Sequence, residues 1–225
     1  MSGNGAVLAG EDGVEAALIG WLKETLNKDI FDALLMPVGT PAGDSFAYLL
    51  LRDPAILDGA SPLPPVMPVQ GGKAIGRLTM RGDGSKRIAA VVRPCEARAA
   101  IELAKLEQAH LDNVYLITLD CPGVLPLADY LEDPVAGADR FREASSAWDR
   151  SPMRPTCQIC DRFSLRRAPG SDLHVGTLGC ADGTAVLVAG SPRGERILEQ
   201  MGMRAEDETE QANAADAALA DWGTR

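Results

Sequence analysis

The sequence predicts an α/β protein with a mainly parallel or mixed sheet and flanking helices, and three observations carry that expectation. Two short apolar runs, Ile88 to Val92 and Val114 to Leu119, bracket a helix-forming stretch. Unbroken apolar runs of that length suit strands buried on both faces of a parallel sheet. Turn-forming Gly and Pro clusters cut the remaining chain into short alternating elements. Finally, 225 residues with 46% hydrophobic content are enough to bury a substantial core.

Taken in order, the first structured element is expected to be a helix from Val14 to Asn27. Val14, Leu18, Trp21, Leu22 and Leu26 recur there at helical spacing and make one apolar face. Phe31 to Val38 and Phe46 to Leu51 read as strands separated by the turn-forming run from Gly39 to Asp44. Ser61 to Gly72 is a Pro- and Gly-rich loop, and a short helix is expected from Lys73 to Met80. Ile88 to Val92, a helix from Glu96 to His110, and Val114 to Leu119 then form a βαβ unit with an expected right-handed crossover.

Pro122 to Pro155 reads as an irregular, Pro-rich crossing of the surface. Val175 to Leu178 and Ala185 to Ala189 are expected strands, and Ser191-Pro192 starts a helix through Met201 with Ser as N-cap. Residues 1–203 are read as one domain, and 204–225 as an acidic, Ala-rich tail, helical or disordered until a partner orders it.

The net charge of -10, with scattered basic residues, argues against a nucleic-acid partner. No stretch reaches the roughly 20 apolar residues needed to span a bilayer. Met1 to Gly13 lacks the basic start and apolar core of a signal peptide, so a cytoplasmic location is expected. Thiols stay reduced there, and cysteine clusters then hold metals or do chemistry rather than forming disulfides. With two histidines in the chain, histidine-rich metal chemistry and His-based hydrolysis are disfavoured.

Four of the five cysteines stand out by position. Cys95 leaves the first strand of the βαβ unit, and Cys121 leaves the second. Ligands in open parallel sheets bind at the carboxyl ends of strands. Neighbouring strands would place the two chain exits roughly 5 to 10 Å apart. At the start of a helix, Cys95 would also meet free N–H groups that favour a thiolate.

Cys157 and Cys160 form a C-x-x-C pair, a spacing shared by zinc and iron–sulfur sites. Thiolate softness does not separate a tetrahedral zinc from a [4Fe–4S] cluster. Four unrelated buried thiols are the third reading. Cys180 sits in a Gly-containing turn and reads as a small packed residue.

Arg93-Pro94-Cys95-Glu96-Ala97-Arg98-Ala99, Glu102 to Leu106, and Asp120-Cys121-Pro122-Gly123 resemble the beta subunit of coenzyme F420-reducing hydrogenases and related formate dehydrogenases. Cys157 and Cys160 followed by Asp161, the glycine-containing segment Val175 to Gly179, and Ser191 to Gly202 extend the likeness over roughly Asp32 to Met203. The resemblance implies an iron–sulfur flavoprotein subunit of a multi-subunit oxidoreductase. It implies that Cys95, Cys121, Cys157 and Cys160 hold one [4Fe–4S] cluster, with FAD nearby. Electrons would pass between a hydride carrier (F420 or NAD(P)H-like) and partner redox subunits. The chain departs from many members in having no cysteine before Cys95, so the ferredoxin-like N-terminal part is missing and any second cluster must come from a partner. A flavin-free iron–sulfur relay and a zinc-stabilised scaffold are the rival readings.

Further residues are offered for cofactor contact. Lys73, ending the loop from Pro64 to Gly72, would supply positive charge near a flavin, or simply close a surface connection. The usual G-x-G-x-x-G fingerprint is missing. Arg93 would offset cluster charge or hold a phosphate. Gly176 and Gly179 would admit a cofactor to the backbone, although glycines are also common in ordinary turns. Arg98, Glu96, Asp161 and His110 are each explained by helix-end or turn chemistry.

Overall fold

The computed structural model describes residues 5–82, 84–164 and 170–203. Its strands are β1 (Gly5–Ala9), β2 (Ala33–Gly39), β3 (Phe46–Leu51), β4 (Ile88–Val92), β5 (Val114–Leu119), β6 (Leu173–Gly176) and β7 (Thr184–Ala189). Its α-helices are α1 (Val14–Asn27), α2 (Gly71–Thr79), α3 (Pro94–Lys105), α4 (Leu127–Glu132), α5 (Pro134–Ser146), α6 (Pro155–Gln158) and α7 (Pro192–Gln200), with a 3-10 turn over Pro54–Gly59. The strands form one mixed sheet in the order β1-β7-β6-β5-β4-β2-β3. The β2/β4, β4/β5 and β5/β6 pairs are parallel, and the β1/β7, β6/β7 and β2/β3 pairs are antiparallel. Among the described residues no helix is long and apolar enough to cross a membrane.

Alternation along β4 shows how the layers form. Ala89 and Val91 face the core built with Leu18, Trp21 and Leu22 of α1 and Ile197 of α7. Ala90 and Val92 face the other way, against Ile75 of α2 and Ala97 and Ala100 of α3. All five β4 residues are buried, so the apolar run is continuous because both faces are covered. A third cluster, with Val66, Leu125, Tyr130, Phe141 and Met153, packs α4 and α5 against the loops.

Four sequence expectations change. The first element is β1, not the helix at Val14; its five residues are stabilised by pairing along β7. Pro122 to Pro155 is not irregular, since it holds α4, α5 and the start of α6. The start signal for α5 is local: the Asp133 side chain accepts from Ala136 N–H at 3.0 Å, and Pro134 opens the helix. The helix expected to reach His110 stops at Lys105, because Glu107 turns to φ 58° and Gln108 N–H bonds back to Leu103. The sixth strand begins at Leu173, two residues earlier than expected, where it pairs with Ile117. The expected tail, 204–225, lies outside the described residues.

Candidate metal centre

β4 and β5 are neighbours, with Val92 paired to Thr118. Cys95 and Cys121 each follow their member of that pair by three residues, so both leave the same edge of the sheet. Cys95 stands in the first turn of α3 and reaches solvent. Cys121 is buried, and its N–H bonds to the Phe163 carbonyl at 2.9 Å. Cys157 lies in the one-turn helix α6, and Cys160 N–H bonds to the Cys157 carbonyl at 3.3 Å.

The two halves meet at Gly123. Its φ of +124° brings the chain after Cys121 so close to α6 that a Cβ there would lie 3.2 Å from Cys157 Cβ and 2.8 Å from Met153 Cγ. Only glycine suits both that conformation and that approach. The electrostatics report the same convergence. Burial, then the Cys121 thiol and Glu96, push the Cys95 pKa up to about 12 even though the side chain touches solvent. Burial raises Cys121 as well, with Arg93 opposing the shift and Cys157 adding to it. Cys160 is among the groups acting on Cys95, and Cys157 among those acting on Cys121.

Cations surround them. Arg93 is 2% exposed and its guanidinium donates to the Pro64 carbonyl, while its Nε has no hydrogen-bond partner among the described residues. Burial works against its charge, but Cys121, Glu96, Tyr48 and Cys95 outweigh that and hold its pKa above the ordinary value. Arg154 Nε donates to Cys157 Sγ at 3.3 Å. Arg150 donates to the carbonyls of both Cys157 and Cys160, at 2.9 Å for Cys160. Its guanidinium lies 5.0 Å from the centroid of the Phe163 ring.

Those residues fit an iron–sulfur cluster in donor type and in charge. Four thiolates make such a cluster anionic, and buried cations with an unused donor suit an anion. A single tetrahedral zinc, with Zn–S bonds of about 2.3 Å, would require the sulfurs to stand about 3.8 Å apart. Among the described residues no three His, Cys, Asp or Glu side chains are close enough to hold one metal ion.

Glu96 does more than complement a helix end. It is fully buried, accepts from Gly71 N–H at 2.6 Å, from Arg93 N–H at 2.9 Å and from Tyr48 Oη at 2.8 Å. It thereby pins the Pro/Gly-rich loop and the α3 N-terminus beside Arg93. Asp120, directly before Cys121, is also buried. It accepts from Thr177 and Leu178 N–H, both at 2.9 Å, and pairs with His174 Nε2 at 2.9 Å. Burial opposes its ionisation, but the His174 hydrogen bond and charge, with Ser164 and Leu178 N–H, hold its carboxyl below the usual range. His174 Nδ1 lies 2.9 Å from Thr118 Oγ1 across the β5–β6 ladder.

Sequence reasoning missed Arg150, Arg154 and the Asp120–His174 pair. A histidine inside the apolar strand Leu173-His174-Val175 was a legible signal, because a buried polar group needs a partner. The arginines carried none, since their roles arise from tertiary contact.

Of the residues offered for cofactor contact, Arg93 lies beside Cys95 and Cys121, while Lys73, Gly176 and Gly179 stand on other segments of the chain. Lys73 is exposed in the first turn of α2, and its N–H bonds to the Gln70 side chain at 2.9 Å. Gly176 and Gly179 flank the turn after β6, whose Thr177 and Leu178 N–H groups are already engaged by Asp120. Cys180 donates to the Gly176 carbonyl at 3.6 Å. Arg98 and Asp161 are exposed, and His110 lies beyond α3 with its N–H on Thr79 Oγ1 at 3.0 Å.

The fold and the cysteine edge define a mixed α/β protein with a candidate metallocluster site. No family model matches the chain. It is 32% identical over 224 residues to the F420-dependent formate dehydrogenase subunit beta of Methanocaldococcus jannaschii, covering 87% of this chain and 56% of that subunit. It is 34% identical over 111 residues to the F420-dependent formate dehydrogenase 1 subunit beta of Methanococcus maripaludis, covering 49% of this chain and 27% of that one. The chain spans about half the length, or less, of these curated relatives. A chain of the F420-reducing [NiFe] hydrogenase complex from Methanosarcina barkeri shares the fold at a TM-score of 0.64 and 12% identity, covering 100% of this chain and 92% of that one. By sequence, the chain is related to the family of F420-dependent formate dehydrogenase beta subunits.

Proposed function

We propose that the chain is a cytoplasmic electron-transfer subunit of a multi-subunit oxidoreductase. It would hold a [4Fe–4S] cluster on Cys95, Cys121, Cys157 and Cys160 and work with FAD between a hydride carrier, F420 or NAD(P)H-like, and partner redox subunits. The reading rests on Cys95 and Cys121 leaving one edge of the sheet, with Gly123 bringing the chain after Cys121 against Cys157, beside the buried guanidinium of Arg93. The names of the curated relatives and of the solved complex support a redox role alongside partners. Bound iron–sulfur and flavin groups supply one-electron and two-electron chemistry respectively.

The residues of the chain divide the remaining work. Buried Cys121 anchors the site to the sheet, while Cys95 stands on the solvent side. Arg93 offsets negative charge, and Glu96 holds Arg93 and the neighbouring loop in place. Asp120 fixes the exits of β5 and β6 relative to each other. A flavin-free relay is favoured by one observation: the N–H groups after β6 are already bound to Asp120.

Anaerobic purification with iron, sulfide, zinc and flavin analysis tests the proposal. About four irons per chain are expected for a single cubane, with flavin absorption, and Cys121→Ser should lose the iron. Iron without flavin would leave the relay reading. Full iron in Cys121→Ser would overturn the ligand assignment, and colourless protein with stoichiometric zinc would overturn both redox readings.

A further inference from the structure

Arg150 is 5% exposed, and it holds both ends of the C-x-x-C turn while lying over the ring of Phe163. Two of its guanidinium nitrogens donate to separate carbonyls, Nη1 to Cys160 and Nη2 to Cys157. Those carbonyls belong to the two ends of the C-x-x-C turn. Its guanidinium carbon lies over the Phe163 ring, 5.0 Å from the centroid. The Phe163 carbonyl accepts the Cys121 N–H at 2.9 Å, and Trp148 packs its ring 6.0 Å from that of Phe163.

Resting on the proposed cluster, we infer that Arg150 is a positioning residue that locks the C-x-x-C turn and couples it, through Phe163, to Cys121. The turn needs such a device. Helix α6 is a single turn, with Ile159 86% exposed, and short helices are marginal by themselves. A fork-shaped cation serves both carbonyls from one fixed plane and stacks on an aromatic ring; a lysine, as a point charge on a flexible stem, does neither. The same buried positive charge stabilises the more negative, reduced state of a cluster and so raises its reduction potential.

Arg150→Lys and Arg150→Gln separate these two effects. In metal-free protein, amide hydrogen exchange at Cys157 and Cys160 should rise about tenfold or more in both variants, the scale of losing one hydrogen bond to a charged group. Exchange in β1 should not change. In the iron-loaded protein, release of iron to a chelator should accelerate in both variants by a similar factor. The reduction potential should fall in Arg150→Gln and stay near the wild-type value in Arg150→Lys.

Unchanged exchange and iron release in both variants would overturn the inference, as would restoration of wild-type exchange by lysine. So would an equal shift of potential in both variants. Iron-free wild-type protein would instead sink the cluster reading, and the hydrogen-exchange measurement would still decide whether Arg150 locks the turn. Should Arg150→Gln fail to fold, Phe163→Leu removes the stacked ring while keeping the backbone carbonyl. It should raise exchange at Cys157 and Cys160, and wild-type exchange there would overturn the coupling through Phe163.

Discussion

At the scale of single residues, the ion pairs differ sharply in what surrounds them. Asp32, just before β2, accepts from Arg87 N–H at 2.8 Å and Arg87 Nε at 3.2 Å, with Lys86 Nζ at 3.8 Å. The Arg87 backbone and side-chain hydrogen bonds hold its carboxyl below the usual range. A depressed pKa contributes stability that is present above the unfolded value of about 3.9 and is lost as pH falls through the folded value. Asp32→Asn is therefore expected to lower urea stability by about 0.5 to 1 kcal/mol at pH 7, since the pair is partly exposed and screened. That difference should shrink on acidification, as pH falls through the depressed folded value. A deficit that persists in acid would mean the substitution acts through packing rather than charge. Asp120 and His174 stand at the other extreme, 2% and 4% exposed, where each needs the other.

At the scale of elements, the Pro- and Gly-rich loop and α2 are a packing device. A Cβ on Gly72 would lie 2.8 Å from the Glu96 carbonyl oxygen, 2.9 Å from Ala100 N and 2.9 Å from Ala99 Cβ. Two of those three contacts are backbone atoms of α3, which cannot rotate away. Gly72→Ala is expected to force α2 from α3 and cost about 1 to 3 kcal/mol, as overpacking does. Urea unfolding would measure it, and a stability equal to wild type would show that the helices slide freely. The sequence placed Phe46–Leu51, Ile88–Val92, Val114–Leu119 and Val14–Asn27 at their observed bounds. Each has a strong local period or a continuous apolar run. It misread Pro122 to Pro155 because two proline-bounded helices of modest apolar content look like a loop when prolines are counted without their caps.

At the scale of the molecule, the mixed sheet closes on one side with β1, which shields β7. Leu8 of β1 joins the same core as α1 and α7. Deleting residues 1–9 would expose the β7 edge and remove Leu8, a loss of about 2 to 4 kcal/mol by analogy with large core truncations. A lowered urea midpoint with increased self-association by light scattering is expected, and an unchanged midpoint would show that β1 is dispensable. The parallel centre of the sheet, by contrast, is what aims Cys95 and Cys121 at one edge.

By itself the sequence determined the α/β class and the βαβ unit, and it put four cysteines forward as candidate ligands. Those rest on local periodicity, on apolar runs and on residue chemistry, all of which are written in neighbouring positions. The tertiary structure alone decided that Gly123 brings Cys121 against the Cys157 turn, and that Arg93, Arg150 and Arg154 surround the thiols. It also decided that Asp120 is joined to His174, 54 residues away. Such contacts depend on strand order and on which loops share an edge, and no local pattern encodes them.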